Sequence, residues 1–331
     1  MSPTKPTKTK LGKTGPEVFP IALGCMSMSG MYGQASDDQG IAAIHAAIER
    51  GVTLLDTGDF YGMGRNELLV RRAVEGRRDR VQISVKFGGL RSPDGSWLGF
   101  DARPAAVKNF AAYSLNRLGV DVIDIYRPAR LDPAVPIEDT IGAIAELVQK
   151  GYVRHVGLSE VGVETIRRAH ATHPIVDLQI EYSLASRAPE AKIFPALAEL
   201  SISATLYGVL SRGLLSGSKP TGPGDFRSYL PRFTGEAGAR NQGAVERLRA
   251  IAESGGRTPA QLCVAWALAK QPSLVPLVGA RTPEQVEDVL GALSRPLAPA
   301  EVAELEAAFP SDAIAGDRYQ AAQMAHLDSE R

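Results

Sequence analysis

Leu54-Leu55-Asp56-Thr57-Gly58-Asp59-Phe60-Tyr61-Gly62 begins as a short apolar run and ends in polar, turn-forming residues. A helix-period segment over 66–75 follows it, and then a second strand-like run, Val81-Gln82-Ile83-Ser84-Val85-Lys86. Strand, helix and strand in this order predict two parallel strands joined by a helical crossover. Asp56, Tyr61 and Lys86 then lie at or just past the C-terminal ends of neighbouring strands, where all three can face one pocket. A free phenol has a pKa of about 10, and a nearby cation lowers it. A lysine between a carboxylate and a tyrosine is therefore expected to make the tyrosine a proton donor near neutral pH.

The unit repeats on both sides of this stretch. Strand-like runs are expected at 21–24, 53–56, 81–86, 122–126, 153–159, 175–179, 202–207 and 274–279. Helix-period stretches alternate with them at 37–50, 66–75, 104–118, 137–150, 163–171, 190–200, 259–269 and 283–293. Pro104, Pro259 and Pro283 each follow a polar or charged residue, as at a helix start, and Gly51, Gly119 and Gly151 mark helix stops. Parallel strands can form an open sheet or close on themselves, and eight of them favour closure. The fold expected is an α/β chain, a (β/α)8 barrel, as one unit over 1–331. A prior of roughly 150 residues per domain would suggest two units, but such barrels run to about 250 residues and more with insertions. No Gly-x-Gly-x-x-Gly follows an early strand, which weakens the doubly wound alternative.

Four segments stand outside the alternation. Residues 10–15 read as a hairpin turn before the first barrel strand, residues 88–103 and 217–241 as long loops, and the tail from Ser311 as a polar segment that crosses the mouth or frays. Long loops in a compact fold are usually functional or mobile. The two internal ones follow strands three and seven and so fall on the C-terminal face, where barrel active sites sit.

Composition narrows the classes. The chain has 331 residues, 44% of them apolar, enough for a sizeable core. Its 37 basic and 37 acidic residues cancel, which argues against a nucleic-acid partner. The two cysteines, Cys25 and Cys263, make no Cys-x-x-Cys pair, so a reducing, cytoplasmic setting is expected. No apolar leader and no run of about 18 apolar residues is seen, so no secretory signal and no membrane span are expected. With no zinc-type His/Cys cluster, no metal is expected either. The oligomeric state is left open.

Eight short stretches, in order, resemble the aldo-keto reductases from Leu11 to about Phe309. They are Leu23-Gly24-Cys25-Met26, residues 55–62, Asn66-Glu67-Leu68-Leu69, Val85-Lys86-Phe87, Gly157-Leu158-Ser159-Glu160, Gln179-Ile180-Glu181-Tyr182-Ser183, Leu230-Pro231-Arg232-Phe233 and Pro276-Leu277-Val278-Gly279. The flavour is that of bacterial reductases related to potassium-channel β subunits. The resemblance implies reduction of an aldehyde or ketone with NADPH, with Asp56, Tyr61 and Lys86 as the catalytic set.

The family's fourth catalytic group, a histidine after strand four that donates a hydrogen bond to the carbonyl oxygen, is absent. The chain reads Asp124-Ile125-Tyr126-Arg127-Pro128-Ala129-Arg130 there, with Ala129 in the histidine's place. Arg127, Arg130 or a water could fill the gap. An alternative reading follows from the potassium-channel relatives: a cofactor-binding, redox-sensing subunit with little turnover. A third is a pocket specialised for one substrate, such as a pyridoxal-like aldehyde or a sugar.

By the same resemblance, Gly24, Met26 and Asp56 border the cofactor, and Ser159, Glu160 and Gln179 hold the nicotinamide carboxamide, with Glu160 replacing a usual asparagine. Tyr207 is expected to stack on the nicotinamide. Val209, Leu210, Ser211, Arg212 and Gly213 are expected near the pyrophosphate. Gly279, Ala280 and Arg281 are expected at the adenosine 2′-phosphate, with Gln285 and Asp288 at the adenosine end. Arg281 at a helix start favours NADPH over NADH. Met26, Tyr32, Phe87, Trp97, Tyr126 and Ala129 are the substrate-pocket candidates, being large or apolar groups near the mouth.

Overall fold

The computed structural model describes residues 6–33, 35–222 and 224–331. Eight parallel strands close into a barrel: β1 (Ala22–Gly24), β2 (Leu54–Gly58), β3 (Gln82–Phe87), β4 (Ile123–Pro128), β5 (Val153–Ser159), β6 (Ile175–Glu181), β7 (Ser203–Tyr207) and β8 (Leu274–Gly279). Each pairs with its neighbour in chain order, and β8 closes on β1 through Leu277 with Ala22 and Gly279 with Gly24. All eight expected runs are strands. Several run one or two residues further, because Thr57, Arg127 and Glu181 near the ends of β2, β4 and β6 are buried, so a polar residue does not mark where the strand stops.

The helices form the outer layer: α1 (Asp37–Glu49), α2 (Arg65–Val74), α3 (Pro104–Leu118), α4 (Ile137–Gln149), α5 (Val163–Thr172), α6 (Ile193–Leu200), α7 (Gly235–Ser254), α8 (Pro259–Lys270), α9 (Pro283–Leu290) and α10 (Pro299–Ala308). Pro104, Pro259 and Pro283 all begin helices, and Gly119 caps α3 in the left-handed region. Two of these ten were not expected, and a further short helix, Ala321–Met324, lies in the tail. The stretch 217–241 is a loop only as far as Thr234, after which α7 runs for 20 residues. Its first half carries Gly235, Gly238 and Gly243 and buries little, so it gives no helix period. Its anchor is the later face of Ala244, Val245, Leu248 and Ala252. Pro223, one of the turn residues read in that loop, lies outside the described residues. The expected loop over 88–103 contains an antiparallel ladder of Gly89–Arg91 with Trp97–Phe100.

The short N-terminal hairpin, Thr9–Lys10 against Glu17–Val18, closes the bottom of the barrel. Leu11 and Val18 join Ala22, Leu54, Ile125, Val176, Val275 and Leu277 in the apolar interior of the barrel. Gly12 sits at φ +58 with its backbone against Val176, where a Cβ would come within 2.6 Å of the Val176 carbonyl oxygen. Among the described residues, no helix is long and apolar enough to cross a membrane. Both cysteines are buried and unpaired.

Candidate active site

Side chains alternate along a strand, so the inward residues at the top of β2 and β3 are Asp56, Ser84 and Lys86. They meet at the mouth. Lys86 Nζ makes an ion pair with Asp56 Oδ1, and both residues are nearly inaccessible to solvent. Asp56 Oδ2 accepts from Ser84 Oγ at 2.9 Å and from Gln179 Nε2 at 2.8 Å. Lys86 Nζ also donates to Gln179 Oε1 at 3.0 Å. The amide of Gln179 thus bridges both ends of the pair. It was expected on the cofactor carboxamide, and in this structure its two polar atoms serve Asp56 and Lys86.

Tyr61 follows β2 on a 3-10 turn and is buried above this pair, with Lys86 Nζ 5.1 Å from its ring centroid. Gly58 gives the ring room: a Cβ there would lie 3.3 Å from it. The expectation that the lysine acidifies Tyr61 is not met. Burial, followed by the negative charge of Asp56, holds the phenol well above its ordinary value. Lys86 is itself lowered, by burial acting against Asp56.

Beneath the pair, Arg127 lies wholly inside the barrel. It donates to Asp177 at 2.9 Å, to the Leu158 carbonyl at 3.3 Å and to Ser84 Oγ at 3.0 Å. Ser84 therefore links Asp56 to a deeper ion pair. The same alternation that turns Lys86 and Arg127 inward turns Phe87 and Tyr126 outward. Those two rings stack at 4.3 Å, and the Tyr126 hydroxyl donates to the Val107 carbonyl on α3. Neither faces the mouth, which corrects their expected place in the pocket. Trp97 is 41% exposed and packs edge-on against Phe60, which is edge-on to Tyr61. Ala129 is buried at the end of β4. Met26 lies on the turn after β1, and Tyr32 forms a bridge with Asp225 and stands under the Arg227 guanidinium.

The opposite side of the mouth is a cluster of carboxylates and guanidiniums. Glu160, at φ +53 after β5, receives Arg318 from the tail at 2.8 and 2.7 Å. Burial pushes Glu160 up, but the hydrogen bonds and charge of Arg318 outweigh it and hold the carboxyl at about 2. Glu181, at the end of β6, receives Arg212 at 2.9 Å, Arg232 at 3.5 Å and Arg318 at 3.5 Å. The Tyr207 hydroxyl meets that of Tyr319 at 3.2 Å and accepts from Arg318 at 3.3 Å. Arg212 lies over the Tyr319 ring. The tail thus crosses the mouth. Sequence reasoning gave no role to Arg232, Glu181, Arg318 or Tyr319. The signals were Arg232 and Glu181 within quoted motifs, and a carboxylate at Glu160 that needs a cation.

Several features suit a dinucleotide. Ser159 Oγ, paired in register with Gln179, is buried with no hydrogen-bond partner among the described residues, so a polar ligand group can reach it without displacing a bond. Val209, Leu210, Ser211, Arg212 and Gly213 make a tight turn after β7, with Ser211 and Arg212 in the left-handed region. Between α1 and α9, a cavity of about 210 Å³ is lined by Met28, Ser36, Gln39, Arg281, Thr282 and Gln285. Gly24 and Gly279 pair where β8 closes on β1, and Ala280 is buried. Asp288 faces the other way and accepts from Thr258 and Gln261 of the α8 N-terminus, which corrects its expected contact with the adenosine end. A cleft of about 670 Å³ between α2, α3 and α4 carries none of these groups.

Comparison with known proteins gives the family and the fold. The model of the Aldo/keto reductase family matches residues 20–309. A probable aldo-keto reductase 1 of Glycine max is 38% identical over 315 residues, 94% of this chain and 91% of that protein. Among solved structures, a glycerol dehydrogenase of Gluconobacter oxydans superposes with a TM-score of 0.82 at 28% identity, over 92% of this chain and 96% of that one. An aldo/keto reductase of Klebsiella pneumoniae, solved with NADP and acetate, superposes with a TM-score of 0.74 at 26% identity, over 95% and 99%.

Proposed function

The chain belongs to the aldo/keto reductase family, and from that premise we propose that it reduces an aldehyde or ketone to an alcohol with NADPH, using Asp56, Lys86 and Tyr61. The carrying observation is the buried Asp56–Lys86 pair beneath Tyr61 at the C-terminal end of the barrel, across the mouth from Ser159 Oγ, which has no partner among the described residues. The barrel acts as one unit in this reading.

NADPH, when bound, supplies the hydride that adds to the carbonyl carbon. The chain supplies the proton and the setting. Burial keeps the Tyr61 hydroxyl protonated through the neutral range, so it can give its proton to the oxygen. Lys86 lies beside the ring as a fixed cation, and Asp56 with Gln179 keeps it there. Ser159 Oγ is free for the carboxamide, Tyr207 offers its ring to the nicotinamide face, and Arg281 with Thr282 and Gln285 suits the adenosine 2′-phosphate.

Purified protein is expected to quench NADPH fluorescence on binding and to consume NADPH absorbance with some members of a broad aldehyde panel. Neither binding nor consumption with any aldehyde would end the proposal.

A further inference from the structure

Arg130 stands one residue past Ala129, half-buried at the mouth. Its Nη1 donates to the Ala129 carbonyl at 2.6 Å and its Nη2 to the Tyr319 hydroxyl at 3.2 Å. The other guanidiniums of the cavity each face a carboxylate: Arg212 and Arg232 face Glu181, Arg318 faces Glu160, and Arg127 faces Asp177. Arg130 makes no ion pair among the described residues. A guanidinium carries five N–H donors in a rigid fork, so donors remain beyond the two bonds described. Glu160 favours its charge against burial without pairing with it. A cation so held suits a site where negative charge arrives during the reaction.

Arg130 also acts on the residues that matter. Tyr61 faces Asp56, Tyr32 and Tyr319, whose charges raise its pKa, and Arg130 is the cation acting against them. Lys86 faces Asp56, Arg127 and Arg130. Arg130 itself faces Tyr207, Tyr319, Glu160 and Arg318.

We propose that Arg130 is a further catalytic residue, donating N–H hydrogen bonds to the carbonyl oxygen in the role left empty at Ala129. The inference rests on the reductase reading above. In the reaction the hydride bonds to the carbonyl carbon, the π pair of the C=O bond moves to oxygen, and that oxygen takes the proton of Tyr61. Arg130 keeps all its protons and lowers the energy of the charge shared between the two oxygens. Arg127 is not the replacement, because its bonds hold it below the Asp56–Lys86 pair.

The test compares wild type, Arg130→Gln, Arg130→Lys and Arg130→Ala in the full chain, on neutral para-nitrobenzaldehyde and on para-carboxybenzaldehyde. Arg130→Gln is expected to lower kcat on both aldehydes about 10²-fold, with NADPH Kd unchanged within about twofold. The alkaline limb of its kcat profile is expected to move to higher pH, since Tyr61 loses its opposing cation. Arg130→Lys should recover part of the rate, and added guanidinium ion should rescue Arg130→Ala. An unchanged kcat on the neutral aldehyde, with only KM for the carboxylated one raised, overturns the proposal and makes Arg130 a binder of substrate charge. A fall in kcat with no pH shift and no guanidinium rescue also overturns it, as a packing effect. Failure of the underlying reading looks different: wild type consumes NADPH with no aldehyde of the broad panel, or Tyr61→Phe matches it, and both proposals fall together.

Discussion

On the β2–β3 side of the mouth, Asp56 and Lys86 are 30 residues apart in the chain and meet because two adjacent strands bring them side by side. On the β5–β7 side, Glu160 is met by Arg318 from 158 residues away, and Glu181 by arginines from the β7 loop, the turn before α7, and the tail. The first half needs only the barrel. The second needs the barrel and every long segment that crosses its top. A local cluster of this kind is set once the strands pair, whereas a cluster closed by the tail can open without unfolding the barrel. The half expected to carry proton transfer is therefore the rigid one, and the half expected to receive the cofactor is the one that can yield.

The largest test of that contrast is Lys86→Met. Removing the ammonium leaves Asp56 buried with only Ser84 and Gln179 as donors, which should cost about 3–5 kcal/mol in urea unfolding. Turnover should fall about 10²–10⁴-fold.

Arg318→Met tests the other half. Glu160 then keeps its charge without its guanidinium, and a loss of about 3 kcal/mol is expected at pH 7. The sign with pH is fixed by the depressed carboxyl. Glu160 at about 2 in the folded chain, against an ordinary 4.5, contributes stability above about pH 4.5 that is lost as pH falls toward 2. Wild type and variant should therefore converge in acid. Melting curves from pH 7 down to pH 3 that stay parallel would contradict the Glu160–Arg318 pairing.

A smaller effect is expected of Arg281→Ala, about tenfold in NADPH Kd, or about 1.4 kcal/mol, with NADH affinity unchanged. Equal losses for both cofactors would remove Arg281 from the 2′-phosphate.

Asp59→Asn has no effect at low pH and acts only as pH rises. Asp59 lies on the β2–β3 side, buried, with one oxygen accepting from the Gly88 amide and the other without a partner among the described residues. Burial, opposed by that hydrogen bond, pushes it up to about 7. Between its ordinary 3.8 and about 7, the folded chain holds a proton that the unfolded chain has released, so stability falls as pH rises through that window. Asparagine keeps an acceptor for Gly88. It should be roughly neutral at pH 4 and stabilising at pH 8. A variant less stable at pH 8 would show that the ionised carboxylate is favoured there.

This asymmetry also explains what the chain's letters revealed. The eight strands were legible because each is a short apolar run between polar turns, and Asp56, Tyr61 and Lys86 because polar groups at strand ends are unusual. Helix α7 was hidden by the glycines in its first half, and α10 gave no strand to alternate with. Phe87 and Tyr126 were misplaced because aromatic size says nothing about which face of a strand a residue takes, whereas the inward Lys86 and Arg127 beside them fix it. Asp288 was misplaced because a position one turn into a helix can face either neighbour, and the Thr258 and Gln261 donors that claim it belong to another helix. Arg318 and Tyr319 carry no local pattern at all. Only the carboxylate at Glu160, which burial would otherwise protonate, hints that a distant arginine must come.

Tyr61, in the proposed reaction, gives the proton from a site that stays intact whether or not it can react. Single-turnover stopped-flow measurement of NADPH oxidation, with Tyr61→Phe beside wild type, tests it most directly. The variant is expected to keep the NADPH Kd within about twofold and to transfer hydride about 10²–10⁴-fold more slowly. An undiminished rate in Tyr61→Phe would contradict that role.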